Sequence, residues 1–459
     1  MTKFPTDNRP KYVAIAEGLA ADIRAGRLPP GGRLPTQRAL ADEVGVTVGT
    51  VTRAYALLRQ QGLIVGEVGR GTFVRPVHRG GASSDIPSPT DHVALDLSVN
   101  TPTLTPLHGS LRAALEALPA AASLDALLQY PGEATMTGHR RLLARWIQHA
   151  AGLETSAEQV VLTLGAQHAM LVALSTLAEP GQRIACPELV FPGLKALARY
   201  LRLRLHPVAL DEQGLSIDSL EEAVRAGARV LYCTPTLQNP TGLTWTARRR
   251  AEVVALARER DLTVIEDDTY GFLCDPPPRA LCADLPEQGV HLSSLSKVLA
   301  PGLRVGAIRA PARAVEALRA TVMTTTLTPS TVTLNLAAGL LAPGPLARTL
   351  ALRRAEQAER SALARAALGP WIPSNADPRS PHLWLPLPEP WRAAELCAHA
   401  AERGVRVASP EPFTVGQRAA PQAVRISLCA APTVQALADA LDLLRGLLRN
   451  PPGPSRLRI

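Results

Sequence analysis

The sequence predicts an α/β protein in two unequal units. A small helical module closed by a β-hairpin comes first. A large domain with a mainly parallel sheet and a smaller C-terminal α+β lobe follows. Three observations carry this expectation. Residues 9–76 alternate short helical patterns and end in a Gly-rich stretch. Residues 77–92, VHRGGASSDIPSPTDH, are rich in Gly, Ser and Pro and read as a linker. From Val93 to about residue 450, strand-like and helix-like segments alternate, the pattern of βα units around a parallel sheet.

Composition narrows the function classes. Of 459 residues, 46% are hydrophobic and 19% charged, which permits a large core and argues against global disorder. No run of about 18 apolar residues lacks a charge or a proline, so a membrane span is not expected. The start, MTKFPTDNRPKYV, has no apolar signal segment. Six cysteines without a CxxC pair fit reduced thiols in a cytoplasmic protein. The net charge is +9, and residues 1–79 hold twelve Lys/Arg against six Asp/Glu, a local excess of +6. Most of the positive excess therefore sits at one end, as a polyanion partner would require.

In the first unit, KYVAIAEGLAADIRAG (11–26) places apolar residues at 12, 15, 16, 19 and 23, one face of a helix. Thr36 is the expected N-cap of QRALADEVGV (37–46), and Thr47 that of VGTVTRAYALLRQQG (48–62). Gly45 falls in the turn between them, giving a helix-turn-helix pattern. LIVGEVGRGTFV (63–74) reads as a hairpin with Gly69-Arg70-Gly71 at its tip. A helix starting at Thr47 would offer Val48, Thr50, Thr52 and Arg53 to a major groove. Arg38 suits a phosphate or a guanine, and Arg70 a minor groove. A protein-binding three-helix module with solvated arginines is the alternative. The run LPPGGRLPTQRALADEVGVTVGTVTRAYALLRQQGLIVGEVGRGTFV resembles the winged helix-turn-helix of GntR-family regulators almost end to end. The resemblance implies DNA contacts at Arg38, Thr47, Thr50, Arg70 and Gly71.

In the second unit the strand-like segments are VVLTL (160–164), RVLYCTP (229–235) and LTVIEDD (262–268), with helical stretches at 166–178 and 246–260 between them. HLWLPL (382–387) and AVRISL (423–428) are the expected strands of the smaller lobe, at about 345–450.

The chemistry starts at HLSSLSKVLAPGLRVGA (291–307). Lys297 has Ser294 three residues before it and Arg304 seven after it, a set suited to an aldehyde that carries a phosphate. It is one of only four lysines in an arginine-rich chain, and only an amine can lose its proton and attack a carbonyl. Asp267 closes the strand LTVIEDD, the end at which α/β folds place ligands, though an acidic run there also serves as a helix cap. Tyr270 follows three residues on. Gly165-Ala166-Gln167 opens a helix whose first amides could hold phosphate oxygens, or is an ordinary strand-to-helix turn. Asn239, in TPTLQNPTG, is either a ring-oxygen ligand or part of a plain turn. Phe191 is either a stacking ring or a core aromatic.

Over about 93–450 the segments LTLGAQHAML, QNPTG, IEDDTYGFL and SLSKVLAPGLRVGAI resemble fold-type I aminotransferases of classes I and II, in order and spacing. That resemblance implies pyridoxal 5′-phosphate as cofactor and Lys297 as the Schiff-base lysine. It implies Asp267 at the pyridine nitrogen, with Tyr270 and Asn239 at the ring oxygen. Gly165, Ala166, Gln167, Ser294 and Arg304 would lie at the phosphate, with Phe191 stacked on the ring. Arg425 would hold a substrate carboxylate, and Tyr130 would reach a neighbouring subunit's phosphate. Ser380-Pro381 departs from the family's Gly-Gly pair near the substrate side.

Together the two units resemble the MocR/GabR subgroup of bacterial regulators. The subgroup implies a double-stranded DNA operator, an amino acid or amine effector and a head-to-tail homodimer. Two other readings stand beside a regulator: an active aminotransferase with an appended DNA-binding domain, and a degenerate enzyme fold kept as a scaffold.

Overall fold

The computed structural model describes residues 10–25, 27–28, 32–61, 63–67, 71–74, 94–121, 123–416 and 419–451. The expected linker and Arg70 lie outside the described residues.

The first unit has helices Lys11–Arg24, Gln37–Val44 and Val48–Gln60, then antiparallel strands Ile64–Glu67 and Gly71–Val74. Thr36 accepts from the Ala39 amide at 3.1 Å and Thr47 from the Thr50 amide at 3.3 Å, so both threonines satisfy an otherwise orphaned N–H. Gly45 ends the middle helix at φ +67, a left-handed conformation that costs glycine nothing. Ile15, Leu19, Leu40, Val51, Tyr55, Leu58 and Val74 form one buried cluster. The Tyr55 hydroxyl donates to the Pro35 carbonyl at 2.8 Å, so its polar end is satisfied inside that core.

The second unit is built on a seven-stranded sheet. Its spatial order is 160–163, 306–309, 289–294, 263–267, 230–233, 183–187 and 204–208. Only Gly306–Arg309 runs antiparallel, against both of its neighbours. Helices cover both faces, so Val160–Thr163, Val230–Cys233 and Gly289–Ser294 are buried at every position. This explains why these strands read as continuous apolar runs rather than alternations.

The smaller lobe pairs His382–Pro386 with Ala423–Ser427 and packs Ala393–Glu402 and Val434–Arg449 against them. One pairing was not visible in sequence. Leu95–Asp96 runs parallel to Val405–Arg406, and Leu97 lies in the small-lobe core. The chain therefore enters the second unit through its C-terminal lobe. The 26-residue helix Pro343–Leu368 ties that lobe to the sheet. Its Arg353 donates to the carbonyls of Val298 at 3.2 Å, Leu299 at 3.3 Å and Thr103 at 2.7 Å, bracing the turn that carries Lys297. Among the described residues no helix is long and apolar enough to cross a membrane.

Leu58 is fully buried between the helices of the first unit. Leu58→Ala is expected to cost about 2–5 kcal/mol within that module. Amide exchange should speed up across residues 11–74 and stay unchanged in the seven-stranded sheet. Faster exchange in both would show that the units unfold together.

Candidate functional site

The exposed face of the first unit carries most of the expected DNA contacts. Arg38, Thr47, Val48, Thr52 and Arg53 are exposed and Thr50 is half-buried. Not all of their polar atoms are free. Thr47 and Thr50 share a 2.9 Å hydroxyl contact, and the Thr52 hydroxyl donates to Gln37 Oε1 at 2.8 Å. The two arginines are thus the long donors on this face. Gly71 begins the second hairpin strand at φ +124, and a Cβ there would stand 2.9 Å from Arg33 Nε.

In the second unit, the carboxyl ends of the strands meet the start of the helix Gly165–Leu177. Gly165 has φ +77, and a Cβ there would lie 2.9 Å from Arg304 Nη2. A Cβ on Gly306 would lie 2.7 Å from Gly165 Cα. Only glycines allow this approach, and it brings the Arg304 guanidinium over the first turn of the helix, where Nη2 donates to the Leu164 carbonyl at 2.8 Å. A helix N-terminus with unpartnered amides beside an arginine is an anion site. Nearby, a Cβ on Gly193 would sit 2.2 Å from the Phe191 ring and 2.3 Å from Gln167 Oε1, so that glycine lets Phe191 and Gln167 come together. The Ser294 hydroxyl donates inward, to Ser296 Oγ at 3.0 Å and the Val305 carbonyl at 3.4 Å.

The acidic run resolves into three different environments. Glu266 accepts from the amides of Leu281 and Cys282 at 3.1 and 3.0 Å. Asp268 accepts from the Gly271 amide at 2.9 Å and lies 3.5 Å from His291. Asp267, at the end of the middle strand, accepts from the Tyr232 hydroxyl at 2.6 Å and from Thr269 at 2.7 Å. Burial raises its pKa, and the two hydroxyls oppose that only in part. A cationic N–H is the partner that such a carboxylate lacks.

Lys297 Nζ donates to the Asn100 carbonyl. Burial lowers its pKa, with the positive charges of Arg425 and Arg304 adding to the shift, so the amine is brought toward the neutral, nucleophilic form. Asn100 Nδ2 also donates to the Tyr270 hydroxyl and contacts His382 Nδ1, both at 2.9 Å. Arg425 Nη1 donates to Asn239 Oδ1 at 2.9 Å and Nη2 to the Ser98 carbonyl, while Nε is buried without a partner among the described residues. Burial lowers the Arg425 pKa to about 10.

The structure thus links Lys297 to Tyr270 through Asn100 and Arg425 directly to Asn239, with Arg304 folded against Gly165 at the helix start. Tyr130 stands apart: it is 76% exposed and lines a separate cavity of about 510 Å³ with Met136, Val161, Met323 and Leu327. Within one chain it touches none of the others. Ser380 is locked in place, donating to the His382 carbonyl at 2.7 Å, and a Cβ on Gly242 would lie 2.8 Å from its Oγ. Asn100, His382 and Tyr232 escaped sequence reasoning. Their partners are 170, 282 and 35 residues away, and no spacing rule joins them.

The donor set fits pyridoxal phosphate: a depressed amine, a buried carboxylate without a cation, a paired tyrosine and asparagine, and an anion cradle that side chains would fill.

Comparison with known proteins agrees with both units. Residues 93–444 match the family model "Aminotransferase class I and II", and residues 11–74 match "Bacterial regulatory proteins, gntR family". The chain is 30% identical over 456 residues to the uncharacterized HTH-type transcriptional regulator YdeF of Bacillus subtilis, covering 96% of this chain and 95% of that one. It is 30% identical to the HTH-type pyridoxine biosynthesis transcriptional regulator PdxR of Corynebacterium glutamicum, over 76% of each chain. Among solved structures, LysN, the α-aminoadipate aminotransferase of Thermus thermophilus, superposes with a TM-score of 0.69 at 24% identity. That match covers 81% of this chain and 97% of LysN and speaks for the fold.

Two predictions follow from the geometry. Gly165→Ala forces a left-handed φ on alanine and pushes against Arg304, so pyridoxal phosphate affinity should fall at least tenfold in a fluorescence titration. Unchanged affinity would separate this turn from the cofactor. His382 supplies a pH dependence. Burial and then the Arg425 charge lower its pKa from 6.5 to about 3. Between those values the unfolded chain binds the extra proton, so stability falls as pH drops through that window, by about 1.4 kcal/mol per unit. From pH 6.5 to 5 the wild type should lose about 2 kcal/mol more than His382→Phe in urea unfolding. Equal losses would mean that His382 takes up a proton in the folded state.

Proposed function

The chain belongs to the aminotransferase class I and II family, in the MocR/GabR subgroup of GntR-family regulators, and we propose that it is a transcriptional regulator that reads pyridoxal phosphate or an amino compound joined to it. In this proposal residues 9–76 bind an operator, 77–92 link, and 93–450 hold the cofactor, with the small lobe at about 345–450. The observation that carries it is the coexistence, in one chain, of an exposed helix carrying Arg53 and, in the second unit, a largely enclosed Lys297 whose pKa is lowered and a buried Asp267 whose pKa is raised.

The bound cofactor supplies an electron sink and an aldehyde. The chain's own groups bind and orient it. The amides of Gly165, Ala166 and Gln167 and the Arg304 guanidinium would hold the phosphate, and the Ser294 hydroxyl would join them by turning from its inward acceptors. Asp267 keeps a proton on the pyridine nitrogen, its carboxylate stabilised there by the charge it gains. Asn239 and Tyr270 would hold the ring oxygen, and Phe191 would cover one ring face. Lys297 presents the amine and holds or passes a proton at Nζ.

The effector we propose is an amino acid or amine. The Arg425 Nε, buried and unpartnered, is a donor on which an α-carboxylate would settle. The same feature supports a second reading, transamination of amino acids, which is compatible with sensing. We further propose a head-to-tail homodimer acting in the cytoplasm. Leu124, Leu128, Tyr130, Met323 and Leu327 are large apolar side chains left at least half exposed, as a partner subunit would require. Val48, Thr50, Thr52, Arg53, Arg38, Thr47, Arg70 and Gly71 form the proposed DNA face.

A gel shift on the intergenic DNA beside the gene tests the regulator directly. Binding is expected at low salt, weakening steeply as salt rises and changing when pyridoxal phosphate and amino acids are added. Arg53→Ala should cost about 1–3 kcal/mol if it reads a base. No binding at low salt would overturn regulation. Lys297→Ala should abolish the absorbance band of the lysine-bound cofactor, and a wild type that never acquires that band would overturn cofactor sensing. Turnover of an amino acid with a 2-oxo acid at ordinary enzyme rates would favour the second reading.

A further inference from the structure

Asn100 is 5% exposed and touches three groups that no motif connects. Its backbone carbonyl accepts from Lys297 Nζ, and its Nδ2 meets both Tyr270 Oη and His382 Nδ1. Which way these hydrogen bonds point follows from one fixed end. His382 Nε2 lies 2.9 Å from the Gln238 carbonyl, which can only accept, so Nε2 carries the ring proton. The ring is fully buried and neutral, which leaves Nδ1 bare and in need of a donor. Only the amide nitrogen of Asn100 can supply one. That nitrogen then also faces Tyr270, so the tyrosine oxygen accepts. The tyrosine's own proton has no acceptor among the described residues. It is left to be donated to whatever oxygen lies before it.

We propose that His382 and Asn100 are positioning residues that aim the Tyr270 hydroxyl proton at the cofactor's ring oxygen. His382 sets the tautomer, the tautomer sets the Asn100 amide, and the amide sets the tyrosine. The proposal rests on pyridoxal phosphate binding at Lys297. The other charged or titratable groups around the relay are Arg425, Lys297, Asp267 and Cys429. None of them is a hydrogen-bond partner of Tyr270 Oη.

The consequence has a sign. A hydrogen bond donated to the ring oxygen spreads its negative charge, and the neighbouring lysine-bound nitrogen then holds its proton less tightly. Removing Asn100 weakens the tyrosine as a donor, so the nitrogen should hold its proton more tightly.

The test is a spectrophotometric pH titration of the full-length, cofactor-loaded protein. Asn100→Ala should raise the titration midpoint of the lysine-bound band by about 0.5–1 unit, a three- to tenfold change in proton affinity. His382→Phe, which leaves Asn100 in place but frees its amide, should shift it the same way by less. In a Tyr270→Phe background, Asn100→Ala should add nothing, because its effect passes through that hydroxyl. A midpoint that falls in Asn100→Ala would show that Tyr270 donates to Asn100 instead, and would overturn the assignment. So would an unshifted midpoint, or an equal shift without the Tyr270 hydroxyl. Should Asn100→Ala not fold, His382→Phe and its Tyr270→Phe double variant carry the same decision. A wild type that forms no lysine-bound band overturns the cofactor reading and this relay with it. A normal wild-type band with unmoved variants overturns the relay alone.

Discussion

The burial of one carboxylate governs this structure. Asp267 stands 6% exposed at the carboxyl end of the middle strand of a seven-stranded sheet. Taking a carboxylate out of water costs several kcal/mol unless charge and hydrogen bonds offset it. Here the offset is incomplete: two hydroxyls, from Tyr232 on the adjacent strand and Thr269 in the following turn, and among the described residues no cation at hydrogen-bond distance. Its neighbours in sequence have no such deficit. Glu266 is held by two backbone amides and Asp268 by another amide and a histidine. The sheet thus stabilises two of its three consecutive acids and leaves the third waiting for a positively charged group.

The anion end of the site shows the same economy of parts. Gly165 and Gly306 come from different strand ends, and both must lack a Cβ for the helix start to meet the antiparallel strand. Arg304 takes a left-handed φ of 50 in that turn and folds its guanidinium back over Gly165. Backbone packing, rather than a side-chain choice alone, therefore sets where a phosphate would be held. The amine, the carboxylate and the anion cradle are then fixed relative to one another by the sheet.

What the sequence disclosed was whatever is local. The caps at Thr36 and Thr47, the glycine turn at Gly45 and the apolar strands lie within a few residues of their causes, and the structure has them where they were expected. Lys297, Arg304 and Ser294 shared one segment and could be read as a set. The acidic run could not be decoded from its residues, because alternation along a strand sends neighbours to opposite faces and only the packing says which face is which. Asn100 and His382 were invisible for a different reason. Each is an unremarkable residue in its own segment, and their meaning arises only when chain segments about 280 residues apart meet. The pairing of Leu95–Asp96 with Val405–Arg406 was hidden in the same way.

That pairing bears on how a ligand would be felt by DNA. Residues 94–100 open the second unit, and they sit among the groups that the proposed ligand would engage. Ser98 offers its carbonyl to Arg425 and Asn100 its carbonyl to Lys297, while the Asn100 side chain bridges Tyr270 and His382. In the proposed function, an aldehyde at Lys297 competes with the Asn100 carbonyl for its donor, and a carboxylate that spans Arg425 from Nε to Nη2 competes with the Ser98 carbonyl. A ligand shifts a conformational balance only through such differential contacts. Reversing a 1:99 balance takes about 5.5 kcal/mol. Hydrogen bonds to charged groups contribute about 1.5–3 kcal/mol each, so exchanging two or three of them is the right size for the task. The segment that loses them is the N-terminal edge of the second unit, and Arg392 of the small lobe also lies 4.4 Å over the Phe73 ring of the first unit.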